Sequence, residues 1–120
     1  MKPLTLVLGA SLNPSRYSNI AILKLRANKI PVIALGLKKG VVGDVVIDTE
    51  RKQFNDIDTV TLYVNPSRQK EYYQYIISLQ PRRVIFNPGT ENSELMELLH
   101  SNDIESEVAC TLVLLSLKKY

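Results

Sequence analysis

The residues best suited to chemistry lie in one short stretch near the start of the chain. A small-residue turn, Gly9-Ala10-Ser11, ends an apolar run, and Asn13-Pro14-Ser15-Arg16 follows before a helical pattern begins. A glycine turn lets a phosphate approach the backbone, and the hydroxyl groups of Ser11 and Ser15 are hydrogen-bond donors. The guanidinium of Arg16 is a planar cationic donor suited to phosphate. Because the free N–H groups of the helix point at the same place, this stretch predicts an anion-binding site.

Asparagine–proline turns of the same kind occur at two further places, Asn65-Pro66-Ser67-Arg68 and Asn87-Pro88-Gly89-Thr90. Each copy follows a predicted strand and precedes a predicted helix. Asparagine is a favoured N-cap and proline suits the first helical turn, so one copy by itself indicates only a helix start. In a parallel sheet, however, all these turns lie at the edge where open α/β sheets bind their ligands. The repetition therefore predicts a polar crevice with arginines at its rim.

The end of the second predicted strand carries Leu37-Lys38-Lys39 and no acidic residue. An enzyme that uses NAD usually has Asp or Glu there to hold the ribose hydroxyls. The two lysines favour a phosphorylated ribose, which leaves coenzyme A, with a 3′-phosphate, and NADP, with a 2′-phosphate, as alternatives. The competing interpretation is that the lysines only solubilise a loop.

Residues that commonly catalyse reactions are few. His100 is the only histidine and lies near a predicted helix end, so we expect a surface or capping role. Cys110 is the only cysteine, and no histidine is placed by the sequence to activate it, so we expect a small packing residue. These two side chains cannot form a clustered metal site. The sequence favours binding over catalysis and leaves open whether any reaction is catalysed.

The elements that must position these residues alternate along the chain. Apolar runs predict strands over 4–9, 30–37, 60–64, 84–86 and 104–109, with an edge strand or connector over 45–49. Helical spacing predicts helices over 16–28, 67–79, 92–100 and 110–119, the first with Ile20 and Leu23 on one face. Turn residues occupy 38–40 and 43–44, and 51–58 is a polar loop. The alternation predicts an α/β fold with a mostly parallel sheet of about five strands flanked by helices.

Size and composition limit the other choices. The chain has 120 residues, of which 45% are hydrophobic and 22% charged, as expected for one globular domain. The net charge of +3 is mild, and no dense block of lysine and arginine predicts nucleic-acid binding. No apolar run approaches the roughly 20 residues that cross a bilayer, so we expect no membrane interaction. A single cysteine fits a reducing compartment, and we expect a cytoplasmic location.

The motifs together resemble a known family. Gly9-Ala10-Ser11, Pro14, Arg16 and Ser18 match the GAS-x-x-P-x-R-x-S opening of small stand-alone CoA-binding domain proteins. These proteins are similar to the CoA-binding domain of the succinyl-CoA synthetase α-subunit. Two later blocks, Pro88-Gly89-x-x-Asn92 and 109–113 (ACTLV), follow in the family's order. The resemblance implies a Rossmann-like fold, with residues 1–120 forming a single CoA-binding domain.

The resemblance also implies how coenzyme A or an acyl-CoA is bound. The first turn and Arg16 would take the phosphates, the loop after the second strand would approach the adenosine, and the later turns would line the rest. The expected cofactor-binding residues are Gly9, Ala10, Ser11, Asn13, Pro14, Ser15, Arg16, Tyr17, Gly36, Lys38, Asn65, Pro66, Pro88, Gly89 and Asn92. No catalytic or metal-binding residue is expected.

Three functions stay open on these grounds. The first is a module that binds coenzyme A or an acyl-CoA without evident catalytic activity of its own, with a protein partner or a homo-oligomer left open. The second is an NADP-type nucleotide-binding oxidoreductase. The third is an interaction protein that keeps the fold and has lost the ligand.

Overall fold

The computed structural model describes residues 2–120, which contain seven strands and five α-helices. The strands are β1 (Thr5–Ala10), β2 (Val32–Gly36), β3 (Gly40–Val42), β4 (Val45–Asp48), β5 (Thr59–Leu62), β6 (Arg83–Phe86) and β7 (Glu105–Val108). The helices are α1 (Tyr17–Ala27), α2 (Pro66–Gln69), α3 (Tyr73–Leu79), α4 (Ser93–His100) and α5 (Thr111–Ser116), with a 3₁₀ turn at Lys70–Tyr72. None of the helices in this part of the chain is long and apolar enough to cross a membrane.

The seven strands form one sheet in the order β3-β4-β2-β1-β5-β6-β7. Neighbouring strands are parallel except β3 and β4, which form an antiparallel hairpin at one edge. The predicted Rossmann-like α/β fold with a mostly parallel sheet is confirmed. From β1 the chain continues through α1 to β2, which pairs with one side of β1, and β5 pairs with the other side. The carboxyl ends of β1 and β5 therefore border the crevice at which the strand order reverses.

The hairpin adds strands to the five or so that the sequence predicts. Residues 38–40 are predicted as turn residues, yet Gly40 begins β3 and pairs with Ile47 of β4. The turn of the hairpin lies at Gly43, which has a φ of +61°, as the sequence predicts. A strand of three residues is too short to show a periodicity, so local patterns could not reveal β3.

Helices cover both faces of the sheet, and the side chains of β1 alternate between the two faces. Val7 packs on one face, in a core with Ile22 of α1 and Leu115 of α5. Leu6 and Leu8 pack on the opposite face, in the larger core that α3 and α4 cover. The loop between β1 and α1 therefore passes over the sheet edge from the strand layer to a helix layer.

Three details of the helices differ from the prediction. In α1, Ile22 and Leu25 are buried, whereas Leu23 is 46% exposed, because packing against the sheet sets the rotation of the helix. The last helix ends at Ser116, earlier than predicted, and Lys118 beyond it has a left-handed φ of +58°. The helix predicted over 67–79 is divided into α2, the 3₁₀ turn and α3.

Candidate functional site

The turn after β1 depends on Gly9, which has a φ of +96°. The backbones of β1 and β5 are so close here that a Cβ atom on Gly9 would lie 2.8 Å from the carbonyl oxygen of Tyr63. The N–H of Tyr63 donates a hydrogen bond of 2.9 Å to the carbonyl oxygen of Leu8. Glycine is therefore the residue that lets the two strand ends meet at the crevice.

On its other side β1 pairs with β2, and Gly36 at the end of β2 also allows a close approach of the two backbones. A bulge between Leu8 and Ala10 pairs Ala10 with Gly36. A Cβ atom on Gly36 would overlap the carbonyl oxygen of Ala10. These two glycine contacts bring the carboxyl ends of β2, β1 and β5 together.

The loop between β1 and α1 is shaped by hydrogen bonds within the chain. The buried side chain of Asn19 donates through Nδ2 to the carbonyl oxygen of Ser11, at 2.9 Å. The Oδ1 atom of Asn13 accepts from the N–H and the hydroxyl of Ser15, at 3.0 and 2.8 Å. The Ser11 hydroxyl oxygen accepts from the N–H of Asn13 at 3.1 Å. The Ser15 hydroxyl is thus engaged in the loop, while the Ser11 hydroxyl keeps its proton for a further acceptor.

The N-terminus of α1 has no side-chain cap. Its N-cap residue, Arg16, makes no side-chain hydrogen bond to the first turn, which also contains no acidic residue. By contrast, the side chains of Asn65 and Asn92 cap α2 and α4. The first N–H groups of α1, at the positive end of its dipole, are therefore available to an anion.

A cavity of about 740 Å³ lies at the three strand ends, and both the turn after β1 and the start of α1 line it. Arg16, Lys38 and Arg68 are the cationic residues of the lining, which contains no carboxylate from the described part of the chain. Arg68 lies 3.7 Å from Glu71, whereas Arg16 and Lys38 form no ion pair within residues 2–120. The lining of the cavity therefore carries a net positive charge, which favours an anionic ligand.

A family model described as the CoA binding domain matches residues 4–116 of the chain. The chain belongs to the CoA binding domain family. The family resemblance predicted from the motifs is thereby confirmed, and the matched range includes every residue of the cavity lining. Among curated proteins, none matches the chain.

Solved structures share the fold of this CoA binding domain. One, described as an uncharacterized protein, is 47% identical over 100% of this chain and 99% of that chain, with a TM-score of 0.97. A protein of Thermus thermophilus is 18% identical over 99% of this chain and 91% of its own, with a TM-score of 0.85. A protein of Pyrococcus furiosus is 23% identical over 94% and 98%, with a TM-score of 0.80. The last two similarities show a common fold.

Most of the predicted ligand residues of this CoA binding domain come together in the cavity. Those in its lining are Gly9, Ala10, Ser11, Asn13, Arg16, Tyr17, Gly36, Lys38, Asn65, Pro88 and Gly89. Pro14, Ser15, Pro66 and Asn92 are also predicted, but they lie outside the lining.

Asn92 is expected to bind the cofactor, but both polar atoms of its side chain form hydrogen bonds within the protein. Its Oδ1 atom accepts from the N–H groups of Glu94 and Leu95, at 3.1 and 3.3 Å. Its Nδ2 atom donates to Oε1 of Gln69 at 2.9 Å and to the hydroxyl of Tyr73 at 2.8 Å. Asn92 therefore caps α4 and joins it to α2 and α3.

The third asparagine–proline turn also departs from the predicted helix start. Asn87 is 1% exposed, and its Nδ2 donates to the hydroxyl of Thr61 at 2.7 Å and the carbonyl oxygen of Leu62 at 3.0 Å. Its Oδ1 accepts from the N–H of Thr111 at 2.9 Å. Asn87 therefore links β5, β6 and the start of α5, while Asn65, in the equivalent position of the second turn, caps a helix.

Several lining residues carry no signal in the sequence, among them Tyr63 and Tyr72. Burial raises the pKa of Tyr63 to about 12. Its buried hydroxyl has no hydrogen-bond partner within residues 2–120, and the hydroxyls of Thr61 and Thr111 bond to each other at 2.7 Å. Arg68 also lies in the lining. The repeated turn predicts an arginine at the rim here, although Arg68 is not among the expected cofactor-binding residues.

Proposed function

We propose that the protein binds coenzyme A or an acyl-CoA in this cavity, with the pyrophosphate over Gly9-Ala10-Ser11 and the N-terminus of α1. The observation that carries the proposal is the uncapped start of α1, beside a turn held against β2 and β5 by two glycine contacts. Backbone N–H groups in such an arrangement commonly receive a pyrophosphate. Membership of the CoA binding domain family supports the choice of ligand.

Side chains around the turn complete the proposed phosphate contacts. The Ser11 hydroxyl donates to a phosphate oxygen, and the Arg16 guanidinium, free of any carboxylate among residues 2–120, pairs with the charge. Lys38 adds positive charge on the ribose side. The end of β2 carries Gly36 and Leu37 where NAD enzymes usually hold the ribose with a carboxylate, which disfavours NAD.

The proposed role is binding rather than catalysis. The described residues of the lining include no thiol, imidazole or carboxylate, and neither His100 nor Cys110 is among them. We further propose that residues 1–120 act as one domain in the cytoplasm, as a homo-oligomer or with a protein partner. An NADP-type oxidoreductase and an interaction protein without a ligand are the competing functions.

Thermal unfolding with coenzyme A, acetyl-CoA, NADP and NAD tests the proposal. Coenzyme A and acetyl-CoA should raise the Tm, because a ligand at 100 times its Kd stabilises the folded state by about 2.7 kcal/mol. NADP and NAD should have no effect. Stabilisation by NADP alone would favour the oxidoreductase, and stabilisation by none of the four ligands would favour the interaction protein.

Two variants test where the phosphates bind. Arg16→Ala removes a cation from the site, and Ser11→Asp places a negative charge in the turn, so each should weaken coenzyme A binding about tenfold or more. Lys24→Ala removes a cation from an exposed position of α1 outside the lining and should leave the affinity unchanged. If the affinity survives both site variants, the phosphates bind elsewhere.

A further inference from the structure

A second cavity adjoins the first at the ends of β2 and β4. Its volume is about 290 Å³, and Arg68 and Tyr72 belong to the lining of both cavities. The lining of the second cavity also contains Arg51, from the long loop between β4 and β5, and Glu71, from the 3₁₀ turn. Because the two cavities share part of their walls, one extended ligand can occupy both.

Glu71 holds two guanidinium groups at this second cavity. Its carboxylate lies 3.4 Å from Nη2 of Arg51 and 3.7 Å from Nη2 of Arg68. Its carbonyl oxygen also accepts a hydrogen bond of 2.9 Å from Nη1 of Arg51. The Arg51 guanidinium lies over the ring of Tyr72, 4.1 Å from the ring centroid. Arg51 is therefore positioned in advance, although it comes from a loop.

The cluster keeps a positive charge that is open to a ligand. Two guanidinium groups share one carboxylate, and the side chains of Arg51, Arg68 and Glu71 are 40%, 44% and 49% exposed. A phosphate monoester carries nearly two negative charges and three acceptor oxygens, so it satisfies two guanidinium groups better than a single carboxylate does. The cluster is thus suited to a terminal phosphate.

We infer that Arg51 and Arg68 form the subsite for the ribose 3′-phosphate of coenzyme A, an inference that rests on the proposed function. If the pyrophosphate binds at the start of α1, one end of the ligand extends along the sheet edge towards β4 and the other end towards β6. Towards β4 the ligand meets the arginine cluster, whereas towards β6 the lining consists of Pro88, Gly89 and Thr90, which carry no charge. The phosphorylated ribose therefore lies at β4, and the uncharged pantetheine arm lies towards β6.

Calorimetric titration of the full chain with coenzyme A and with 3′-dephospho-coenzyme A tests the inference, because only the 3′-phosphate differs. The wild-type protein should bind coenzyme A about tenfold or more tightly than the dephospho form. Arg51→Gln should weaken the binding of coenzyme A but not that of the dephospho form, so the ratio of the two affinities should come close to one. Lys70→Gln removes the same charge from an exposed residue outside both cavities and should preserve the ratio. An unchanged Tm without ligand shows that each variant folds.

The outcomes separate the subsite from the proposed function. If both Arg51→Gln and Arg68→Gln keep the wild-type ratio of affinities, the proposed subsite is wrong. If only Lys38→Gln loses this ratio, the 3′-phosphate binds at the end of β2. Equal binding of both ligands by the wild-type protein would overturn the subsite and leave the proposed function intact. Binding of neither ligand by the wild-type protein would overturn both.

Discussion

The carbonyl oxygen of Ser11 accepts a hydrogen bond of 2.9 Å from Nδ2 of Asn19, in the first turn of α1. Asn19 is 5% exposed and does not line the cavity. It nevertheless ties the turn after β1 to the start of the helix, so the two sets of N–H groups proposed to bind the pyrophosphate form one unit. The geometry of the site thus depends on a residue outside the cavity lining.

Asn19→Ala should weaken both the fold and the binding of coenzyme A. The carbonyl oxygen of Ser11 loses its donor, so the free energy of unfolding should fall by about 1–3 kcal/mol. The affinity should fall because the N–H groups are no longer held in advance for the ligand. Urea unfolding and calorimetric titration measure the two effects.

Asn28→Ala is the matched control for this variant. Its Nδ2 also donates to a carbonyl oxygen, that of Lys24 at 2.8 Å, but at the exposed end of α1. Its effect on stability should stay within about 0.5 kcal/mol, and the affinity should not change. Equal losses of affinity in the two variants would contradict the positioning role of Asn19.

Gly9→Ala and Gly89→Ala separate backbone strain from steric overlap. The φ angles are +96° and +91°, so alanine should cost about 1–2 kcal/mol at either position. A Cβ atom on Gly9 would also lie 2.8 Å from the carbonyl oxygen of Tyr63, whereas on Gly89 it would have no heavy atom of residues 2–120 within 4 Å, apart from those of its two chain neighbours. Gly9→Ala should therefore lower the free energy of unfolding by about 1–3 kcal/mol more than Gly89→Ala does. Equal losses in chemical denaturation would argue against a close approach of β1 and β5.

Asn87→Ala should destabilise the protein more than Asn65→Ala, although both asparagines begin an asparagine–proline turn. Asn65 is an exposed cap that accepts from the N–H of Arg68 at 3.1 Å, and its loss should cost about 1 kcal/mol. Loss of the Asn87 side chain leaves the buried N–H of Thr111 and the carbonyl oxygen of Leu62 without this partner, which should cost about 3 kcal/mol or more. Urea unfolding compares the two variants, and a reversed order would contradict the crosslinking role.

Stability should decline in acid through the ion pair of Asp58 and Arg82. The Arg82 guanidinium donates to the carboxylate at 3.0 Å and holds the pKa of Asp58 below its usual value of 3.8. A carboxyl whose pKa is lower in the folded protein stabilises the fold above the unfolded pKa, and this contribution is lost as the pH falls through the folded pKa. Asp58→Asn should lower the urea midpoint near neutral pH and flatten its decline below about pH 4.

Asp56→Asn is the control for this pH dependence. Asp56 is exposed in the same loop and forms no ion pair within residues 2–120. This variant should keep the wild-type decline in urea midpoint between about pH 4 and pH 2. If Asp58→Asn keeps that decline as well, another carboxyl is responsible for it.

Local patterns predicted the order of the elements and the position of the turn after β1. An apolar run, a glycine turn and a helix start are patterns formed by residues close together in the sequence. The structure of residues 5–17 can therefore be predicted without knowledge of the tertiary fold. Packing features were harder to predict. Ile22 rather than Leu23 faces the core. Both residues are apolar, so the sequence does not distinguish them, and packing against the sheet decides which one is buried.

The sequence by itself determined the alternating α/β order, a small-residue turn suited to phosphate, and three asparagine–proline turns at one sheet edge. Only the tertiary structure decided that Asn87 is a buried crosslink while Asn65 is a cap. It also decided that Arg51 meets Glu71, 20 residues away. The physical reason is range: backbone preferences and hydrophobic periodicity act between near neighbours, whereas these contacts form only after the strands have paired in their final order.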